Sequence, residues 1–215
     1  MRSDKDIKAD LLAALDTTGD EAFAGMGFKR RKRSLNYVRT VRDAQQMIVF
    51  AVDYLPRYQA GAELHLHPAM QLAMKPVTEA ALKLVSGDEI LLANAPEVIV
   101  NQPIEFTAPK AEHVRWFASG LEQIRGRVSE IGIFAQKWVM PFLDELTTPG
   151  ELISVYENAD DRMMKQRHWY LYIAAAYLVK GNVGKARSVL EDSLGTPGLR
   201  KRYAAAFETL SLGIG

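Results

Sequence analysis

Near Pro109 the chain changes the period at which its apolar residues recur. Before that point they alternate with polar ones, and the runs Leu35 to Val41, Gln46 to Asp53 and Ala62 to Met74 read as β-strands. After it, Val114, Phe117, Leu121, Ile124, Val128, Ile131, Ala135, Trp138 and Phe142 recur in steps of three and four. That period is the narrow seam of a helix laid along another. Strand-type and helix-type periods held in separate blocks predict an α+β fold. The expectation is an N-terminal antiparallel sheet with a packed helix over 1–107, followed by a C-terminal all-α helical bundle over 108–215.

Local signals set the elements. Ser3 with Asp6 three residues on makes a capping-box start, and Asp16-Thr17-Thr18-Gly19 is expected to interrupt the helix that follows. The first two strands, parted by Arg42-Asp43-Ala44, read as a hairpin. Pro68 inside the third run places that strand at an edge or marks a bulge, and 97–106 reads as one more strand limited by Pro103. Pro76 opens a short helix that closes near Gly87. In the second half, Pro141 is expected to kink or stop the long seam, as one helix or as two meeting near Gly132. Thr148-Pro149-Gly150-Glu151 starts a further helix, and Lys180-Gly181-Asn182 joins two more.

The 27 Lys and Arg balance 26 Asp and Glu, so no whole-molecule field draws the protein to nucleic acid or a membrane. No cysteine is present, which excludes disulfides, thiolate metal sites and a cysteine nucleophile and fits a reducing compartment. The amino terminus lacks the apolar stretch of a signal peptide, and no apolar run has the length of a membrane helix. The chain reads as cytoplasmic, with no membrane partner. No Gly-rich phosphate loop, nucleophile elbow or paired-carboxylate signature occurs, so no cofactor is expected.

Two groups of residues carry chemistry. Lys29, Arg30, Arg31, Lys32 and Arg33 form a run of five cations, which Arg39, Arg42 and Arg57 extend if the hairpin folds back. In extended chain the five cannot all face one way, because strand side chains alternate. They are candidates for docking an acidic protein partner, or for gripping nucleic acid, with Tyr37, Tyr54 and Tyr58 as the stacking residues. A solvated turn whose charges discourage edge pairing is the bland alternative. Glu63, His65 and His67 fall at i, i+2 and i+4 on one strand face, a carboxylate and two imidazoles fit for a divalent metal with open positions. His113 and His168 read as capping or packing residues.

The first helix, the run GFKRRKRSLNYVRTV, and the segments IVFAVDY and AELHLHPAM together resemble the bacterial family called domain of unknown function 4304, over about the first 75 residues. The resemblance implies a helix against a meander sheet and assigns no catalytic residue. The stretch YLYIAAAYLVKGNVGKARSVLEDSL is similar to a tetratricopeptide helical hairpin, with Ala175, Gly181 and Ala186 as the small residues at the close approach. A single copy is below the roughly three repeats such an array needs.

The reading is a non-catalytic protein-interaction module, in its most concrete form a bacterial immunity or regulatory protein. A nucleic-acid binder led by the basic run is the second reading and a metal-dependent enzyme the third. A homodimer would use the 114–142 seam.

Overall fold

The computed structural model describes residues 2–212. Its elements in chain order are α1 (Asp4–Ala14), a π segment (Leu15–Gly19), α2 (Asp20–Ala24), β1 (Lys29–Arg30), β2 (Asn36–Val41), β3 (Ala44–Tyr54), β4 (Leu64–Met74), α3 (Lys75–Leu84), β5 (Val100–Pro103), β6 (Trp116–Ala118), α4 (Gly120–Phe134), a second π segment (Ala135–Val139) and α5 (Met140–Asp144). The remainder is helical: α6 (Pro149–Glu157), α7 (Trp169–Val179), α8 (Val183–Leu194), α9 (Pro197–Arg202) and α10 (Ala204–Leu212). This is the expected α+β class, an N-terminal antiparallel sheet followed by a helical region.

The capping box at Ser3 is present: the Asp6 N–H donates to the Ser3 hydroxyl at 3.3 Å and the Ser3 N–H to the Asp6 carboxylate at 3.2 Å. The interruption expected at Asp16–Gly19 does not occur. The backbone stays right-handed helical through the π segment, and Ile7, Leu11, Leu15, Gly19 and Phe23 are all buried. A strict four-residue spacing drifts by about 40° per step in an ideal α-helix. The wider π turn takes up that drift and keeps the stripe on one face. The Thr17 hydroxyl donates to the Ala13 carbonyl at 3.1 Å, where the widened turn loosens the regular ladder.

Gly19 is required by what faces it. Its φ of −69° is ordinary for a helix, so alanine there would gain about 1 kcal/mol in propensity. A Cβ at this position, however, would overlap the Tyr37 hydroxyl and lie 3.1 Å from Leu15 Cδ2. Gly19→Ala is therefore expected to destabilise by about 1–2 kcal/mol net, overpacking outweighing propensity. Urea unfolding of the variant checks this, and a gain in stability would show that Tyr37 moves aside freely.

The strand order is β1-β2-β3-β4-β5, with β6 antiparallel to β4 through the pairs Leu64↔Ala118, His65↔Phe117 and Leu66↔Trp116. β4 is thus flanked by β3 on one side and by β6 and β5 on the other, which corrects the edge placement expected from Pro68. The second flank is divided between two short strands, so a residue without an N–H interrupts no continuous ladder. β6 also corrects the expectation that the chain is all-helical from Pro109. Val114 is 42% exposed and precedes a strand, and the long helix begins only at Gly120.

Through the second π segment the buried stripe runs along Ile124, Val128, Ile131, Ala135, Val139 and Phe142 and passes by Trp138. The extra residue in the π turn advances the phase, and Trp138 is left at the boundary beneath the Lys137 ammonium, 4.6 Å from its ring centroid. With its deepest residues packed inside the chain, the seam does not present the surface the homodimer expectation needs.

The chain divides into two compact units interleaved in sequence. The first comprises Met1–Thr40, Gln46–Gln71 and Asn101–Asp144, and the second Val41–Gln45, Leu72–Val100 and Glu145–Gly215. The expected boundary between 107 and 108 falls inside the first unit, because β6 pairs with β4 and α4 packs on α1. The first unit's core includes an aromatic group, Phe23 with Phe28, Tyr37 and Phe50, at centroid separations of 6.3, 4.4 and 5.9 Å.

In the second unit α7 is apolar on all sides, with Trp169 and Leu171 to Tyr177 all buried. It accordingly sits among α3, α6 and α8. Thr148 caps α6 by accepting from the Glu151 N–H at 3.3 Å. Gly181, at φ +74°, makes the left-handed turn between α7 and α8, and the Asn182 side chain caps α8 at 3.0 Å from the Lys185 N–H. Val183, expected in the stripe of α8, is 42% exposed.

Candidate functional site

The first unit carries two chemically distinct groups. One is the basic segment, where Arg30 separates from its neighbours. β1 pairs Lys29 with Val38 and Arg30 with Tyr37, and pleating sends the two cations to opposite faces. The Arg30 side chain is 1% exposed. Its Nε donates to Asp20 Oδ1 at 2.8 Å, its Nη1 to the Ser34 carbonyl at 3.0 Å, and its Nη2 to Asp20 Oδ2 at 3.0 Å and to Asp16. Tyr37 completes the group by donating its hydroxyl to Asp20 at 2.9 Å.

The electrostatics follow this geometry. Burial lowers the pKa of Arg30, but the Asp20 and Asp16 carboxylates outweigh it and raise the value overall. The Arg30 hydrogen bonds hold Asp20 below the ordinary carboxylate range. Burial first, and then Asp20, push the Tyr37 phenol up.

Lys29, Arg31, Lys32 and Arg33 are exposed and make no ion pair among the described residues. The Ser34 N–H donates to the Arg31 carbonyl at 2.9 Å, and Arg33 takes a left-handed φ of +66°. The guanidinium of Arg30 thus ties the tight turn 31–34 to α2 while leaving four cations in water. Arg39 is not part of that exposed set. Its side chain is 9% exposed and bonds to Gln46 and Asp144, both at 2.7 Å, and to the Met26 carbonyl at 3.3 Å. Arg57 is exposed in the loop between β3 and β4. The basic candidates therefore divide: Arg30 and Arg39 are internal anchors, and Lys29, Arg31, Lys32, Arg33 and Arg57 face solvent.

The second group lies where β3 and β4 meet their connecting loop. His65 and His67 do come together, with ring centroids 3.7 Å apart. Glu63 does not join them, because its carboxylate accepts from Arg2 at 2.8 Å and from the Gly120 N–H at 2.9 Å. Its place is taken by Asp53, at the end of β3. One ligand atom each from Asp53, His65 and His67 lies within 4.8 Å of the other two.

His67 Nε2 is 2.9 Å from Asp53 Oδ2, and the Tyr58 hydroxyl sits 2.6 Å from that oxygen and 2.8 Å from His65 Nδ1. His65 is buried, stacked on Phe117 at 4.0 Å, and burial followed by the neighbouring His67 keeps its pKa below the ordinary imidazole value. Hydrogen bonds from Tyr58 and then His67 hold Asp53 low. Nearby, Glu105 Oε2 is buried without a hydrogen-bond partner among the described residues. Burial raises its pKa against the opposing fields of His113 and His67.

Asp53 and Tyr58 escape a reading confined to one strand, since neither lies in the i, i+2, i+4 pattern. The available signal was the hairpin: a strand ending at Asp53-Tyr54, a loop holding Tyr58, and a return strand starting near Glu63 bring 53 and 65 close. His113 follows a 3-10 turn rather than opening a helix, and its Nε2 lies 3.3 Å from the Ala108 carbonyl. His168 occupies the position before α7 without a side-chain cap bond. Of the three stacking candidates, Tyr37 is buried, Tyr54 half-buried, and the Tyr58 hydroxyl is engaged with Asp53 and His65.

Among the described residues, no helix is long and apolar enough to cross a membrane. Comparison with family models, curated proteins and solved structures yields no match to this chain.

Proposed function

We propose that this protein is a docking module that presents the cationic turn Lys29, Arg31, Lys32 and Arg33 to an acidic face of a polypeptide partner, in the manner of an immunity or regulatory protein. One observation carries the reading. Arg30 is buried and fastens the turn, while the cations around it stay exposed and without ion pairs among the described residues. Holding the turn in place before binding lowers the ordering cost of association, and clustered rim charge speeds encounter with an oppositely charged surface. Nucleic acid is less well served, since Tyr37 is buried and Tyr54 half-buried, which leaves Tyr58 alone of the three stacking candidates with an exposed ring.

The test is affinity capture from the native host at low and high salt. It compares wild type with a variant carrying Lys29→Glu, Arg31→Glu, Lys32→Glu and Arg33→Glu. One acidic protein is expected at low salt with wild type and is lost with the variant. Equal recovery by both, or nuclease-sensitive nucleic acid in place of a protein, overturns the reading.

A further inference from the structure

We propose that Asp53, His65 and His67 form a binding site for a divalent first-row transition metal such as zinc, with Tyr58 as the group that yields to it. This goes beyond the docking reading and uses none of its residues.

The donor set is one carboxylate oxygen and two imidazole nitrogens, and these three atoms already lie within 4.8 Å of one another. Bound to a common zinc at roughly 2.0–2.2 Å each, they need only a modest side-chain closure. Imidazole donors favour zinc and its neighbours in the series over magnesium or calcium, which prefer all-oxygen shells. The site stands on two adjacent strands, so its frame is rigid. His65 is fixed between Phe117 and His67, while the side chains of His67 and Asp53 are 43% and 52% exposed and leave a path from solvent.

Tyr58 is the group a cation at this place would displace. The Tyr58 oxygen bridges Asp53 and His65, occupying the space between two of the three donors. Tyr58 is 59% exposed and can swing outward without opening any core. Its departure leaves a three-ligand metal with a vacant position for water or a ligand anion. That is the arrangement of reactive zinc sites rather than closed structural ones.

The test is titration of the full chain with zinc chloride against a chromophoric chelator. Variants His67→Ala, Asp53→Asn, Tyr58→Phe and Glu63→Gln are run beside wild type. The first two replace exposed side chains, and a thermal melt of each confirms that it is folded. Wild type is expected to take up one zinc, and affinity should fall by at least about a hundredfold in His67→Ala and in Asp53→Asn. Tyr58→Phe and Glu63→Gln should bind within about threefold of wild type or tighter. Absence of stoichiometric zinc in wild type, or zinc binding that survives both ligand substitutions, overturns the assignment. So does a hundredfold loss in Glu63→Gln, which would move the site to the other carboxylate.

Discussion

Phe142→Ala should destabilise the protein by about 3–5 kcal/mol, and Trp138→Ala by clearly less, about 1–2 kcal/mol. The difference follows from the π segment at Ala135–Val139. A helix that kept its phase from Ile131 onward in steps of three and four would bury Trp138. The added residue turns Val139 inward in place of Trp138, while Phe142 stays fully buried. Removing the Phe142 ring leaves a void closed off from solvent, but Trp138 is only part-buried, so water reaches part of the space its ring vacates. Urea unfolding of the two variants decides the matter, provided the m-value is unchanged. Equal losses, or a larger one for Trp138→Ala, would mean that the helix runs through 135–139 without the extra residue.

Arg30→Ala should cost about 3 kcal/mol. Charged hydrogen bonds contribute about 1.5–3 kcal/mol each, and the substitution removes four contacts from a side chain that is 1% exposed. The full sum is not expected. Asp16 and Asp20 are 51% and 46% exposed and recover water once the guanidinium is gone. Arg30→Lys should recover less than half of the loss, since a single ammonium cannot span the Asp20 carboxylate and the Ser34 carbonyl together. Chemical denaturation of both variants checks the order, and a Lys variant as stable as wild type would show that charge alone suffices.

Much of the architecture was legible in the sequence because it rests on short-range chemistry. The Ser3 and Thr148 caps, the Arg42-Asp43 hairpin turn and the Gly181 turn depend on neighbouring residues, and each lies where its signal falls. What escaped depends on distant parts of the chain. The DTTG segment reads as a break, yet the wide turn is held because Gly19 admits the Tyr37 hydroxyl from a strand eighteen positions on. β6 is three residues long and exists only because β4 offers it a flank. α3 follows β4 directly in sequence but packs on α7, about ninety positions on.

The candidate sites divide in the same way. Strand alternation forbade all five cations from sharing a face, and Arg30 is the one turned inward. No local pattern names Asp16 and Asp20 as its partners. Nor could periodicity show that Arg2 and the Gly120 N–H claim Glu63, leaving Asp53 to face the two histidines.

The division of labour within residues 29–33 is tested most directly by the unfolding free energy of a chain carrying Lys29→Ala, Arg31→Ala, Lys32→Ala and Arg33→Ala together. If these four side chains are free for a partner, removing all of them changes stability by less than about 1 kcal/mol, as expected for exposed positions. A loss as large as that of Arg30→Ala would show that the turn is held by the very charges assigned to docking.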